Sequence, residues 1–147
     1  MKIRVEENEQ LDEIEVIIKG NKDNEDVKEI YKSLLYFESI ILGKINDKTF
    51  SLPLSQIYYF DSVDNKTFAY DKSKVYEVSL KLYQLETELS NTPFIRVNKS
   101  LIVNTRKLKS FKSTINGKME ATLINGEMIK ISRSYVPLLK EKLGGKQ

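Results

Sequence analysis

Four short polar turns, Asn46-Asp47, Asp64-Asn65-Lys66, Asn116-Gly117 and Asn125-Gly126, constrain this chain more than any other feature, because they cut residues 40–131 into pieces of strand length. Ile40 to Ile45, Thr49 to Leu54, Ile57 to Val63, Thr67 to Tyr70 and Lys74 to Val78 are the first such pieces, and they are rich in β-branched and aromatic residues. Ser110 to Ile115, Lys118 to Ile124 and Glu127 to Ile131 follow as a terminal β-meander. Two helical spacings interrupt the strands. Leu82, Leu85 and Leu89 follow Ser79 as N-cap and stop before Pro93, while Val136, Leu139 and Leu143 follow Ser132 and stop at Gly144-Gly145. The expected fold is mainly β, a multi-stranded domain with short helices.

The leading residues read differently. Lys2 to Glu6 alternates apolar and charged side chains as a half-buried strand does, and Ile14 to Ile18 repeats the pattern less strictly. After the turn-forming run Gly20 to Asn24, Val27, Ile30, Tyr31, Leu34 and Leu35 fall on one face of a helix with acids near its start. This divides the chain into a β-plus-helix segment over 1–39 and a β domain over 40–147. The apolar stripe of so short a helix is expected to pack on the domain or to join two copies.

Composition narrows the chemistry. With no cysteine and no histidine among 147 residues, disulfides, thiolate zinc sites and histidine-based triads are excluded. No metal or other cofactor and no bond chemistry is expected. The start lacks a signal-type pattern and no apolar run is long enough to insert in a membrane, so a cytoplasmic protein is expected. Charge is unevenly divided: residues 1–93 carry 12 Lys+Arg against 18 Asp+Glu, net −6, and residues 94–147 carry 12 against 3, net +9. A basic, strand-rich half suits the phosphate backbone of a nucleic acid, although a solvated lysine-rich surface has the same composition.

Phe94 to Asn104 joins the two signals. Leu101, Ile102 and Val103 suit a strand interior, while Arg96, Asn98, Lys99 and Ser100 carry hydrogen-bond donors for an anionic or polar partner. Arg96 also has a simpler use, pairing with an acid of the helix that ends near Leu89, and Asn98 can cap its own turn. Tyr58, Tyr59 and Phe60 do not make a base-stacking platform, since neighbours in a strand point to opposite faces.

Phe94-x-Arg96-x-x-Lys99-Ser100 followed by Leu101-Ile102-Val103-Asn104, then Ile124-Asn125-Gly126-Glu127, then Ile131-Ser132-Arg133-Ser134-Tyr135, resembles the closing half of a LytTR-type DNA-binding domain. The match runs from about Lys44 to Leu143, and the order of the motifs is more specific than any one of them. The resemblance implies a regulator that binds double-stranded DNA at promoters, as two copies on repeated sites; the 39 or so leading residues are too few for the receiver domain that most response regulators of the family carry, so a regulator without one is expected. It assigns DNA contacts to Asn65, Lys66 and Thr67 in one loop, to Arg96, Asn98, Lys99 and Ser100 in a second, and to Arg133 and Ser134 at the start of the last helix. Three positions depart from the family's habit: Asn98 and Lys99 stand where His and Arg are common, and Ser134 where a second Arg is common. Asn retains a bidentate match to adenine, whereas Lys lacks the planar fork of Arg.

Two rival functions need neither His nor Cys. A basic β domain also suits single-stranded RNA or DNA, and paired carboxylates serve glycosidases, although only Glu120, Glu127 and Glu141 fall in the basic half. A third rival, a protein-interaction module built on edge strands, predicts binding with little salt dependence.

Overall fold

The structure, a computed structural model, describes residues 1–144. Its elements are α1 (Glu25–Glu38), β1 (Ile40–Ile45), β2 (Lys48–Pro53), β3 (Tyr59–Val63), β4 (Lys66–Tyr70), β5 (Val75–Val78), α2 (Leu82–Glu88), β6 (Phe94–Asn98), β7 (Leu101–Asn104), β8 (Leu108–Ser113), β9 (Met119–Leu123), β10 (Met128–Ile131) and α3 (Val136–Lys142). Seven strands form one antiparallel sheet in the order β2-β1-β5-β4-β3-β7-β6, and β10-β9-β8 form the meander as a second sheet. The mainly β class expected from the turns is the class observed.

Two cores hold the sheets. Phe60, Ala69, Tyr76, Val78, Phe94 and Ile102 face Tyr36 of α1 and Leu82 and Leu85 of α2 on one side. On the other, Val97 and Val103 face Met119, Ala121, Leu123, Ile129 and Ile131 of the small sheet and Leu139 of α3. Adjacent residues Ile102 and Val103 therefore bury against opposite cores, and the apolar triplet on β7 is a strand covered on both faces. In the aromatic run the strand neighbours Phe60 and Tyr59 divide between the first and second cores, and Tyr58, which precedes β3 and so does not follow its alternation, is buried in the second.

Turn chemistry sets the registers. Asp64 and Asn65 both have positive φ, 50° and 67°, in a two-residue loop between the paired residues Val63 and Lys66, which suits the right-handed twist of a hairpin. Asn116 and Gly117, with φ of 61° and 74°, turn β8 into β9. On β1, a side chain at Gly43 would meet Leu52 and Tyr76 at 2.7 Å, so only glycine lets these strands approach.

Two sequence expectations fail at the start of the chain. No strand forms over residues 1–24, which are exposed except for a half-covered Ile18. The alternation is present, but a strand needs a neighbour for its backbone N–H and C=O groups, and none is at hand. The helix does form, capped by Asn24, whose Oδ1 accepts from the N–H groups of Asp26 and Val27. It packs on the domain through Tyr36, its one buried residue. Asn104, fully buried, donates from Nδ2 to Tyr36 Oη and to the Ile57 carbonyl, both at 2.9 Å, and accepts from the Arg106 N–H at 3.0 Å. Much of the α1 stripe stays uncovered, with Tyr31 and Leu35 about half exposed.

The helix caps also differ. Lys81, not Ser79, precedes α2, and its N–H donates to Gln84 Oε1 at 2.9 Å. Ser132 opens a 3-10 turn, Arg133–Tyr135, without a side-chain cap bond, and α3 starts only at Val136 with Pro137 in its first turn.

Candidate nucleic-acid interface

The β6–β7 turn is held from several directions. Arg96 donates from Nε to the Asn98 carbonyl at 3.2 Å and from a terminal nitrogen to the Lys99 carbonyl, and its other nitrogen lies 3.7 Å from Glu86 of α2. Asn98 accepts at Oδ1 from the N–H of Ser100 at 2.9 Å and from its hydroxyl at 3.1 Å. Its Nδ2 donates to the Lys130 carbonyl of β10 at 2.9 Å. Arg96 and Asn98 are thus committed to the shape of the turn, and the Lys99 side chain is left exposed at its tip.

Strand pairing brings other turns alongside. Asp61 of β3 is opposite Leu101 of β7, and the Ser62 N–H donates to the Ser100 carbonyl at 2.9 Å, so the β3–β4 turn is the neighbour of the β6–β7 turn. Lys81, preceding α2, donates to the Asn65 carbonyl and ties that helix to the same edge. On the other flank the Ser132 N–H donates to the Val97 carbonyl at 2.9 Å, bringing the Arg133 turn next to β6. The stem of Arg133 lies over Gly117, where an added Cβ would sit 3.1 Å from it.

One edge of the molecule therefore gathers exposed Asn65, Lys66, Lys99, Ser100, Arg133 and Ser134. Lys66 has Glu77 at 3.7 Å, an exposed pair of small energetic weight. Among the described residues, no carboxylate lies within ion-pair distance of Lys99, Arg133 or the neighbouring Lys130. Those cations remain available to an outside anion, and no group of three or more His, Cys, Asp or Glu able to hold a metal occurs among the described residues.

A family model described as the LytTr DNA-binding domain matches residues 47–144. The chain belongs to that family. Sensory transduction protein LytT of Enterococcus faecalis is 30% identical over 98 residues, 67% of this chain and 40% of its own length. Transcriptional regulatory protein LytR of Staphylococcus aureus is 27% identical over 108 residues, 74% of this chain and 44% of its own length. The chain thus spans less than half the length of either relative. A Staphylococcus aureus protein described as an uncharacterized HTH-type transcriptional regulator is 26% identical over 145 residues, 97% of this chain and 98% of its own. Among solved structures, a LytTr DNA-binding domain from Bacillus cereus superposes with a TM-score of 0.68 at 26% identity, covering 73% of this chain and 98% of that one.

Within this LytTr domain, three sequence assignments are revised by the geometry. The Thr67 side chain is buried, 2% exposed, because β4 turns it toward the first core, so it is covered by the protein itself. Asn98 accepts two hydrogen bonds and donates one inside the protein, and Arg96 gives two N–H groups to carbonyls and turns a further nitrogen toward Glu86. The start of the last helix is also weaker as a phosphate site than its sequence suggests, since Arg133 and Ser134 sit in the 3-10 turn and Pro137 lacks an N–H. Glu86 is the helix acid that the sequence offered as a partner for Arg96, whereas Lys81 and Lys130 had no sequence signal. Each meets its partner only through the fold, Lys130 across 32 residues from Asn98.

Proposed function

We propose that this LytTr domain is a sequence-specific regulator that binds double-stranded DNA through the edge carrying Lys99 and Arg133. The observation that carries the reading is the meeting of three separate turns at one edge, where Lys99 and Arg133 have no carboxylate at ion-pair distance among the described residues. Lys99, Arg133 and Asn65 are the candidates for base edges, and Lys66, Ser100 and Ser134 for phosphates. Arg96 and Asn98 are positioning residues that fix the height and direction of Lys99. Such a regulator catalyses nothing and works where the chromosome is, in the cytoplasm. Binding as two copies on repeated sites fits the same reading, with the half-exposed Tyr31 and Leu35 of α1 as apolar surface for a second copy. Groove entry in this reading is by turns: no two α-helices follow one another along the described chain, as a helix-turn-helix unit requires.

Selection of bound duplexes from a random-sequence pool tests the proposal, followed by titration of the selected duplex at several salt concentrations. If about six phosphates are neutralised, log K falls against log salt with a slope near about −5. A flat response, or a single strand competing as well as the duplex, overturns it.

A further inference from the structure

At the end of β6 remote from the Lys99 turn lies a cleft of about 780 Å³, bounded by α1, α2, α3 and the 3-10 turn Thr105–Lys107. Pro93, Ile95 and Leu138 are among its apolar lining, and Lys32, Arg106 and Lys142 are among its cations. Lys32 has Glu29 at 3.9 Å. Arg106 and Lys142 have no carboxylate at ion-pair distance among the described residues, although Glu141 also lines the cleft. Their partners are neutral oxygens. Arg106 lies over the ring of Tyr36, 5.4 Å from its centroid, and donates to Ser33 Oγ at 2.8 Å, and Lys142 donates to the Ser90 carbonyl at 2.9 Å. Burial and the ammonium of Lys32 hold the Lys142 amine below its ordinary range, with Glu29 acting in the opposite sense.

Cations on neutral partners beside apolar side chains are the donor set of a site for an amphiphilic anion. We propose that this cleft binds a small organic anion, its apolar body against Pro93, Ile95 and Leu138 and its carboxylate or phosphate head on Arg106 and Lys142. Arg96 and Glu86 form a further wall, and Arg96 also holds the carbonyls of Asn98 and Lys99. An occupant that draws on this pair therefore reaches the β6–β7 turn. That coupling rests on the DNA-binding reading of the turn, whereas the site itself does not.

Phenyl phosphate carries both halves of the proposed ligand, and inorganic phosphate and phenol carry one each. They are titrated into the full chain without DNA, at constant ionic strength, with backbone amide shifts as the readout. Saturable phenyl phosphate shifts are expected at Ser33, Asn91, Arg106 and Lys142, with affinity about tenfold tighter than that of inorganic phosphate or phenol. Lys142→Gln weakens it about tenfold, and Lys99→Ala leaves it unchanged. Benzoate against phenyl phosphate identifies the preferred head. Absence of saturation overturns the proposal, and equal binding of inorganic phosphate reduces the cleft to a surface anion patch. Loss in Lys99→Ala but not in Lys142→Gln transfers the anion to the opposite edge and also overturns it. Failure here leaves the DNA reading standing, and a failed duplex selection leaves this titration standing.

Discussion

The β6–β7 and β3–β4 turns are neighbours at one edge of the large sheet, yet they are held in different ways. The first is tied by side chains: Arg96 to two carbonyls and Glu86, and Asn98 to Ser100 and across to Lys130. The second is shaped by backbone conformation, two consecutive residues of positive φ, with Lys81 on the Asn65 carbonyl and an exposed Lys66–Glu77 pair as its side-chain supports. Residues that resemble DNA readers by chemistry are thus spent on geometry in one turn, and Lys99 is what remains as the proposed reader. In the other, Asn65 serves as both conformational element and candidate reader.

The largest effect that separates the turns is expected from removing the braces. Arg96→Ala leaves two carbonyls and Glu86 without their donor, and should cost about 2–3 kcal/mol of stability in urea unfolding, with DNA affinity lowered on every sequence. Should Arg96→Ala unfold like the parent and relax specificity at one base pair, Arg96 is a reader and the contrast between the turns disappears. Next are Lys99→Ala and Arg133→Ala, which are expected to leave stability within about 0.5 kcal/mol. Each should cost about 1–3 kcal/mol on the selected duplex and relax preference at one position. Equal losses on selected and scrambled duplexes would reduce both to phosphate contacts.

A smaller effect concerns the backbone-shaped turn. Asn65→Ala puts a Cβ without local hydrogen bonding into a left-handed position and is expected to cost about 1 kcal/mol, whereas Asn65→Gly stays close to the parent. Equal stability of the two variants would show that Lys81, not the backbone, sets this turn. The smallest lies on β3, the strand that feeds it. Burial raises the pKa of the Asp61 carboxyl, opposed by the hydroxyl of Tyr70, which donates to its Oδ2 at 3.1 Å, and its Oδ1 is buried without a partner. Since the folded chain holds this proton more tightly than the unfolded chain, ionisation on raising pH through the carboxyl range subtracts stability. Asp61→Asn should therefore be the more stable protein at neutral pH, with the difference shrinking in acid. Unfolding curves at neutral and acid pH check the sign, and a parent more stable than the variant at neutral pH refutes it.

Much of the fold was legible because its signals are local. Asp64-Asn65 and Asn125-Gly126 name hairpins from two residues each, and alternation within β4 and β9 follows from the period of a strand. The same locality misleads at residues 2–6 and 14–18, where the pattern of a strand is present without a sheet to receive it. At the site, Lys99 and Arg133 became candidates from motif order, and both side chains are exposed. The fates of Arg96, Asn98 and Thr67 were not, since the same donors suit a ligand or a neighbouring carbonyl.

By itself the sequence determined the class of fold, the absence of histidine and cysteine chemistry, the gathering of positive charge after Phe94 and the places of the turns between strands. Each of these is a property of composition or of a few consecutive residues. Only the tertiary structure decided which polar groups are left for a partner. Arg96 finds Glu86, Asn98 finds the Lys130 carbonyl, and Asn104 finds Tyr36 across 68 residues. Those meetings depend on strand order and helix docking, which arise from burying two cores at once and leave no trace in the local spacing of residues.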